Sequence, residues 1–229
     1  MEKWKEQAPP YNRKFQGRLS VIEQSVYKDS IVVDLGCGEG NFVAGLAPKC
    51  KQVFAVDFDE KEIQKAHDKC KQFSNVTLIH SNLETSIDHL PHANMTLCLS
   101  VLHHLLVKES YYNYSYMLGA RGYLPTLFLL RKIREKTDVL FLEMGMKFEP
   151  RVWAQYLPNS YNADWIAEKL LYKAGFKTVS ILYPPEIVDS NFQRNLHHKH
   201  YKFVSNTPEW FQKMLRFDNR DNRPLFRAS

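Results

Sequence analysis

The stretch Ile31–Phe42, IVVDLGCGEGNF, decides how the rest of the chain reads. A short apolar run leads to an acid, Asp34, and then to three glycines at alternate positions, Gly36, Gly38 and Gly40. The β-branched run predicts a strand over Ile31–Leu35. Phe42, Val43, Leu46 and Ala47 share one face of a helix over Asn41–Ala47. A strand that turns on glycines into a helix lets backbone come close to a ligand and offers the free N–H groups of a helix N-terminus. That is a recipe for holding a nucleotide.

Outward from this turn, strand and helix signals alternate. Strands are expected at Gln52–Val56, Val76–His80, Met95–Ser100, Val139–Glu143, Thr178–Leu182 and Tyr201–Ser205. Helices are expected at Arg18–Val26, Lys61–Gln72 and Ala163–Ala174, the last stopped by Gly175. Alternation of this kind predicts an α/β fold: a Rossmann-like, doubly wound, seven-stranded sheet with helices on both faces. No helical pattern separates Leu182 from Tyr201, and Pro184-Pro185 forbids one, so the last strand is expected to be antiparallel. The expected domain spans 18–206, after an N-terminal arm or lid at 1–17 and before a tail at 207–229. In such sheets ligands lie beyond the carboxyl ends of the strands, where strand order reverses.

Two nucleotides fit a strand–glycine–helix turn followed by an acid. Asp57 ends the second strand, 21 residues after Gly36, placed to accept ribose hydroxyls. NAD and S-adenosylmethionine both have that ribose. The dinucleotide fingerprint needs G-x-G-x-x-G, but here the spacing is G-x-G-x-G and Asn41 holds the third position. Asp34 beside a pyrophosphate would repel it, whereas beside the ammonium of a methionine moiety it would attract. The turn therefore points to S-adenosylmethionine.

DLGCGEG, AVDFD, SNLE and LCLSVLHHL, in that order, resemble the motif series of the class I S-adenosylmethionine-dependent methyltransferases, over residues 20–206. The resemblance implies that Asp34 and the backbone of Gly36, Cys37, Gly38 and Gly40 hold the methionine end. Asp57 would take the ribose and Phe58 the adenine face. Asn82, where the family often has an aspartate, would meet the adenine amine with Leu83 beside it. Ser100 and Val101 would line the sulfonium.

The acceptor is carried by other residues. His103 and His104 follow the fourth strand, beside the transferred methyl, where a neutral imidazole could serve as general base. The alternative is that the pair only closes a turn. Adjacent side chains point apart and no third ligand is placed, so no metal is expected. Glu143 ends the fifth strand, with Lys147 and Arg151 after it, and this group could seat an anion. Lys108–Leu127 carries Tyr111, Tyr112, Tyr114, Tyr116 and Tyr123 with Arg121, a lid-like insertion whose rings could stack on sugars or bases. Tyr11 and Arg13 in the N-terminal arm form a second candidate lid. TPEWFQKMLRF, 207–217, has amphipathic helical spacing and could meet the domain, a partner or a membrane surface.

SVLHHL, LEMGMKFEPRVW, HYKFVSN and RLSVIEQ further resemble the methyltransferase domain of WbdD-type bacterial O-antigen chain terminators. This implies O-methylation of a glycan or small-molecule acceptor, or of a phosphate group on it. More loosely it extends to methylases of terminal RNA phosphates, so RNA is the alternative acceptor. The 229 residues contain no kinase domain, which the phosphate-capping type carries, and 108–127 is longer than that family needs. A non-enzymatic alternative is a cofactor-binding partner subunit.

Composition bounds these readings. A formal charge of +6 favours anionic partners, yet Lys and Arg are scattered and form no nucleic-acid tract. No apolar run approaches the ~20 residues of a membrane span. The first 14 residues do not read as a secretory signal. Cys37, Cys50, Cys70 and Cys98 show no disulfide framework, so a cytoplasmic location is expected.

Overall fold

The computed structural model describes residues 15–106, 123–146, 157, 161–182, 195–197 and 223–229. Helix α1 (Phe15–Ile22) leads into β1 (Ile31–Leu35), α2 (Asn41–Leu46), β2 (Gln52–Asp57), α3 (Glu60–Cys70) and β3 (Val76–His80). Then come α4 (Leu83–Ser86), β4 (Ala93–Leu99), α5 (Tyr123–Glu135), β5 (Thr137–Glu143), a helix at 163–174 (α6), β6 (Thr178–Leu182), β7 (Asn195–His197) and β8 (Leu225–Ala228). The fold is the expected Rossmann-like α/β sheet, mostly parallel, in the order β3-β2-β1-β4-β5-β8-β6-β7.

The sheet separates two cores by its period of two. Val33, Leu35, Cys98, Leu140 and Leu142 face one cluster with α5 and α6. Val32, Met95, Leu97, Leu99 and Phe141 face the other, with α1, α2 and α3. Burial on both faces explains the continuous apolar runs of the central strands.

Local chemistry sets several boundaries. Helix α3 begins where Asp59 accepts hydrogen bonds from Lys61 N (2.9 Å) and Glu62 N (3.4 Å). Strand β4 stops at Leu99 because Ser100 takes φ +64°, the one non-glycine residue with positive φ among those described. Helix α6 is π-wound over Ile166–Leu171 and ends at Gly175, φ +104°. Helix α1 starts earlier than Arg18, with Phe15 packed edge-on against Phe42 of α2 at 5.1 Å.

The carboxyl-terminal side of the sheet differs from expectation. Tyr201–Ser205 lies outside the described residues. Leu225–Ala228, expected to belong to the tail, is instead a strand inserted between β5 and β6 and antiparallel to both. The sheet thus has eight strands among the described residues. Leu225, Phe226 and Ala228 are fully buried, because a strand inside a sheet buries both faces. Among the described residues no helix is long and apolar enough to cross a membrane.

This topology aims one edge of the sheet at a ligand. Strand order reverses between β1 and β4, and the carboxyl ends of β1, β2, β4 and β5 bring Asp34, Asp57, Ser100 and Glu143 to that edge. Because β8 runs the other way, its start lies there too, with Leu225 opposite Glu143.

Candidate active site

The glycine turn is tied to the end of β2. Gly36 N and Cys37 N both donate to Val56 O, at 2.8 and 3.0 Å. Gly38 N donates to Asp57 Oδ2 at 2.8 Å, and Asp57 Oδ1 accepts from Asp59 N at 3.0 Å. Asp57 therefore braces the turn from beneath. Gly36, Gly38 and Gly40 all take positive φ, +78°, +52° and +77°.

The first two of these glycines have different tolerances. A Cβ on Gly36 would stand 2.3 Å from Val101 Cγ2, whereas one on Gly38 meets nothing nearer than Glu62 Oε2 at 3.8 Å. Gly38→Ala should then cost only its backbone strain, about 1–2 kcal/mol. Gly36→Ala adds a clash with the turn after β4. It is expected to lower the melting temperature well beyond Gly38→Ala and to abolish cofactor binding. Thermal melts and calorimetry on both variants check this ranking.

Asp34 is 3% exposed, and its Oδ2 has no hydrogen-bond partner among the described residues. Burial, together with the Asp57 charge, pushes its pKa up to about 7, against the opposing pull of Arg18. Arg18 reaches in from α1. Its guanidinium lies over the Phe42 ring at 5.0 Å, and Nη1 meets Glu143 Oε2 at 3.3 Å. Its Nε is also buried without a partner among the described residues. An orphaned anionic oxygen and an orphaned cationic nitrogen thus share one end of the cleft. A zwitterion satisfies both, its ammonium on Asp34 and its carboxylate on Arg18. The methionine moiety of S-adenosylmethionine is such a zwitterion.

On the other side of the turn, Phe58 is 76% exposed beyond the end of β2, a flat apolar face open to a ring. Asn82 differs from its expected role. Its Oδ1 accepts from Thr85 N (3.0 Å) and Thr85 Oγ1 (2.8 Å), capping α4. With that oxygen committed to the helix, the donors left at this point include Asn82 Nδ2 and the first N–H of α4, on Leu83.

Glu143 corrects a second expectation. It was expected to face the acceptor, but its side chain is fully buried between Arg18 and Arg223. Arg223 Nη1 stands 3.6 Å from Glu143 Oε1 and donates to Ser100 Oγ at 2.9 Å, and Ser100 Oγ also bonds Glu143 Oε1. Ser100 N donates to Glu143 O at 2.8 Å. Glu143 is thus the hub that gathers two guanidiniums and the Ser100 turn.

His103 and His104 lie in the helical stretch 102–106, their ring centroids 4.2 Å apart. They are not equivalent. His103 is 3% exposed and His104 is exposed. Partial burial and the charge of Arg223 hold the His104 pKa below the ordinary imidazole value. A neutral, accessible imidazole at pH 7 can accept a proton; the buried ring has no route to a substrate.

Asp34, the glycine turn, Asp57, Ser100, Val101 and His104 thus lie together along the carboxyl edge of the sheet, with His103 buried behind His104. Tyr11, Arg13, Arg121, Lys147 and Arg151 lie outside the described residues. Two arginines were missed. Arg18 left a faint signal, a charge within the apolar α1 sequence FQGRLSVI. Arg223 left none, since DNRPLFR reads as a polar tail and only strand pairing brings it inward.

Comparison with known proteins agrees with this geometry. Residues 32–114 match the family model described as "Methyltransferase domain". The chain is 31% identical over 74 residues to the probable cobalt-precorrin-6B C(15)-methyltransferase (decarboxylating) of Methanocaldococcus jannaschii, a match covering 31% of this chain and 40% of that protein. Among solved structures, WbdD aligns with 100% of this chain and 42% of its own, at TM-score 0.64 and 18% identity. A putative methyltransferase from Streptococcus mutans in complex with SAH aligns over 94% and 97%, at TM-score 0.53 and 15% identity. The chain thus spans well under half of its curated relative and of WbdD, and nearly all of the streptococcal protein. The matched motif region, the sheet order and the zwitterion seat together support a class I S-adenosylmethionine-dependent methyltransferase.

Proposed function

We propose that the protein O-methylates an anionic glycan or small-molecule acceptor, on a hydroxyl or on a phosphate group. S-adenosylmethionine, when bound, supplies a methyl group already activated by its sulfonium. The protein's own residues have three tasks: to seat the donor, to orient the acceptor and to receive a proton where one is released.

Seating falls to Asp34 and Arg18 at the methionine end, Asp57 at the ribose, and Phe58 with Leu83 N–H at the adenine. Orientation of an anionic acceptor falls in this proposal to Tyr11, Arg13, Arg121, Lys147 and Arg151. On this view 1–17 and 108–127 serve as lids that exclude water. A hydroxyl acceptor must lose its proton, and His104 is the group at Nδ1 or Nε2 of which it would arrive. A phosphate monoester is already anionic and needs no base.

The observation that carries the reading is His104, exposed at the carboxyl edge, with a pKa lowered first by partial burial and then by the Arg223 charge. A base and an anion-attracting charge at one place suit an acidic oxygen acceptor better than an amine. Buried, unpaired thiols at all four cysteines fit a cytoplasmic setting.

The test is transfer from labelled S-adenosylmethionine into a fractionated extract, with glycans, lipids, RNA and small phosphates resolved. Label in a glycan or small anionic fraction is expected. Label confined to RNA would replace this acceptor class by the RNA alternative. Where the labelled acceptor is a hydroxyl, His104→Ala should reduce turnover about 100-fold or more. Full activity of that variant would remove the base role.

A further inference from the structure

Arg223 is brought to the site by an unusual route. It precedes Pro224 and β8, and β8 is held in register by β5 on one side and β6 on the other. The register Glu143↔Leu225 sets the chain just ahead of Leu225 above the end of β5. There Arg223 is 5% exposed and touches two groups that belong to different strands, Ser100 after β4 and Glu143 on β5.

Ser100 is where this contact has leverage. Its φ of +64° is a conformation that L residues adopt at a cost of about 1–2 kcal/mol, so neighbouring bonds must hold it. Those bonds run from Ser100 N to Glu143 O, between Ser100 Oγ and Glu143, and from Arg223 Nη1 to Ser100 Oγ. The turn so held sends Val101 against Gly36 and begins the stretch that carries His103 and His104.

The charges at this edge are few. Among the described residues they include Asp34 at the end of β1, Asp57 at the end of β2, Arg18 from α1, Glu143 at the end of β5, Arg223 ahead of β8, and His103 stacked on His104. Of these, Arg223 is the one whose charge acts on His104.

We propose that Arg223 is a positioning residue of the methyl-transfer site: it locks the strained Ser100 turn, which leads into the stretch carrying His103 and His104, onto Glu143. Its role as an adjunct to transfer rests on the reading under Proposed function; its effect on His104 does not. Through Arg223, insertion of β8 into the sheet is coupled to the electrostatics of the candidate base. Burial is the larger cause of the lowered His104 pKa and the Arg223 charge the second, and loss of the carboxyl-terminal strand would remove the second.

The test needs no acceptor. The His104 ring proton is followed by NMR against pH in the whole chain, its signal identified by its loss in His104→Asn. In the native protein it should titrate below the ordinary imidazole range, and in Arg223→Gln it should move upward. Arg223→Lys, which keeps the charge, should restore the low titration. Its loss of the forked donor should still weaken binding of S-adenosylhomocysteine by about threefold to tenfold, measured by calorimetry. Native His104 titrating at or above the ordinary value would overturn the proposal, and that measurement requires no Arg223 variant to fold. Coincident titrations in Arg223→Gln and native protein would also overturn it. Failure of the native chain to bind S-adenosylhomocysteine would instead remove the methyltransferase reading, and the titration would still decide the role of Arg223.

Discussion

Asp34→Asn is expected to bind S-adenosylmethionine about 10- to 100-fold more weakly than the native protein while melting at a higher temperature above pH 7. The two effects have one cause. Asp34 is buried with an orphaned oxygen, and its pKa is raised to about 7 from the ordinary 3.8. An ammonium placed on that oxygen makes a charge-assisted hydrogen bond worth about 1.5–3 kcal/mol, and asparagine forfeits the charge. Without ligand, the ionised carboxylate is a burden. The unfolded chain loses this proton near pH 4 and the folded one near pH 7, so folding stability declines between those values and is flat above. Asparagine abolishes that decline, a gain of at most about 4 kcal/mol at pH 8.

The same proton makes cofactor binding pH-dependent. Below pH 7 the carboxyl in the free protein is protonated and must release its proton to receive an ammonium. Affinity should fall as pH drops below 7, approaching tenfold per unit, and fall again above about pH 8, where the ligand's α-amino group loses its proton. Calorimetry in two buffers of different ionisation enthalpy should show proton release at pH 6 and, because the ligand's amine must then be protonated, proton uptake at pH 8.5. Asp34→Asn should lose both the slope and the release. A native protein whose affinity is the same at pH 6 and pH 8 would show that Asp34 does not meet the cation.

Removing residues 223–229 is expected to destroy the native fold, not merely to shorten a tail. Leu225 and Phe226 are fully buried, and loss of two such side chains costs roughly 5–10 kcal/mol. That is comparable to the whole stability of a typical domain, about 5–15 kcal/mol. The deletion also strips hydrogen-bond partners from β5 and β6 and takes Arg223 from the buried Glu143. Near-UV circular dichroism should lose its native signal and S-adenosylhomocysteine binding should vanish. Phe226→Ala is the graded version and should lower stability by about 3–5 kcal/mol. A truncated chain that melts like the native protein would contradict the central placement of β8.

Much of this was legible in local sequence. IVVDLGCGEGNF announced a strand, a turn of positive φ and a helix, and each is where its spacing put it. Asp57 was legible because ribose recognition at the end of β2 is a matter of sequence distance along a βαβ unit. Asn82 was half legible: its position was right, but the side chain answered a nearer demand, the open N-terminus of α4. Glu143 was legible as a strand-end acid at the cleft. That two arginines from opposite ends of the described chain would cover it was not.

By itself, then, the sequence determined what depends on neighbours along the chain: the order of strands and helices, the glycine turn, the sign of charge at Asp34 and hence the donor it suits. Only the tertiary structure decided what depends on residues far apart. It inserted Leu225–Ala228 between β5 and β6, buried His103 while leaving His104 accessible, and set Arg18 and Arg223 on either side of Glu143. The physical reason is that strand pairing and ion pairing act across space. A four-residue run such as LFRA gains its identity from the two open strand edges that receive it, and no periodicity within four residues can announce that.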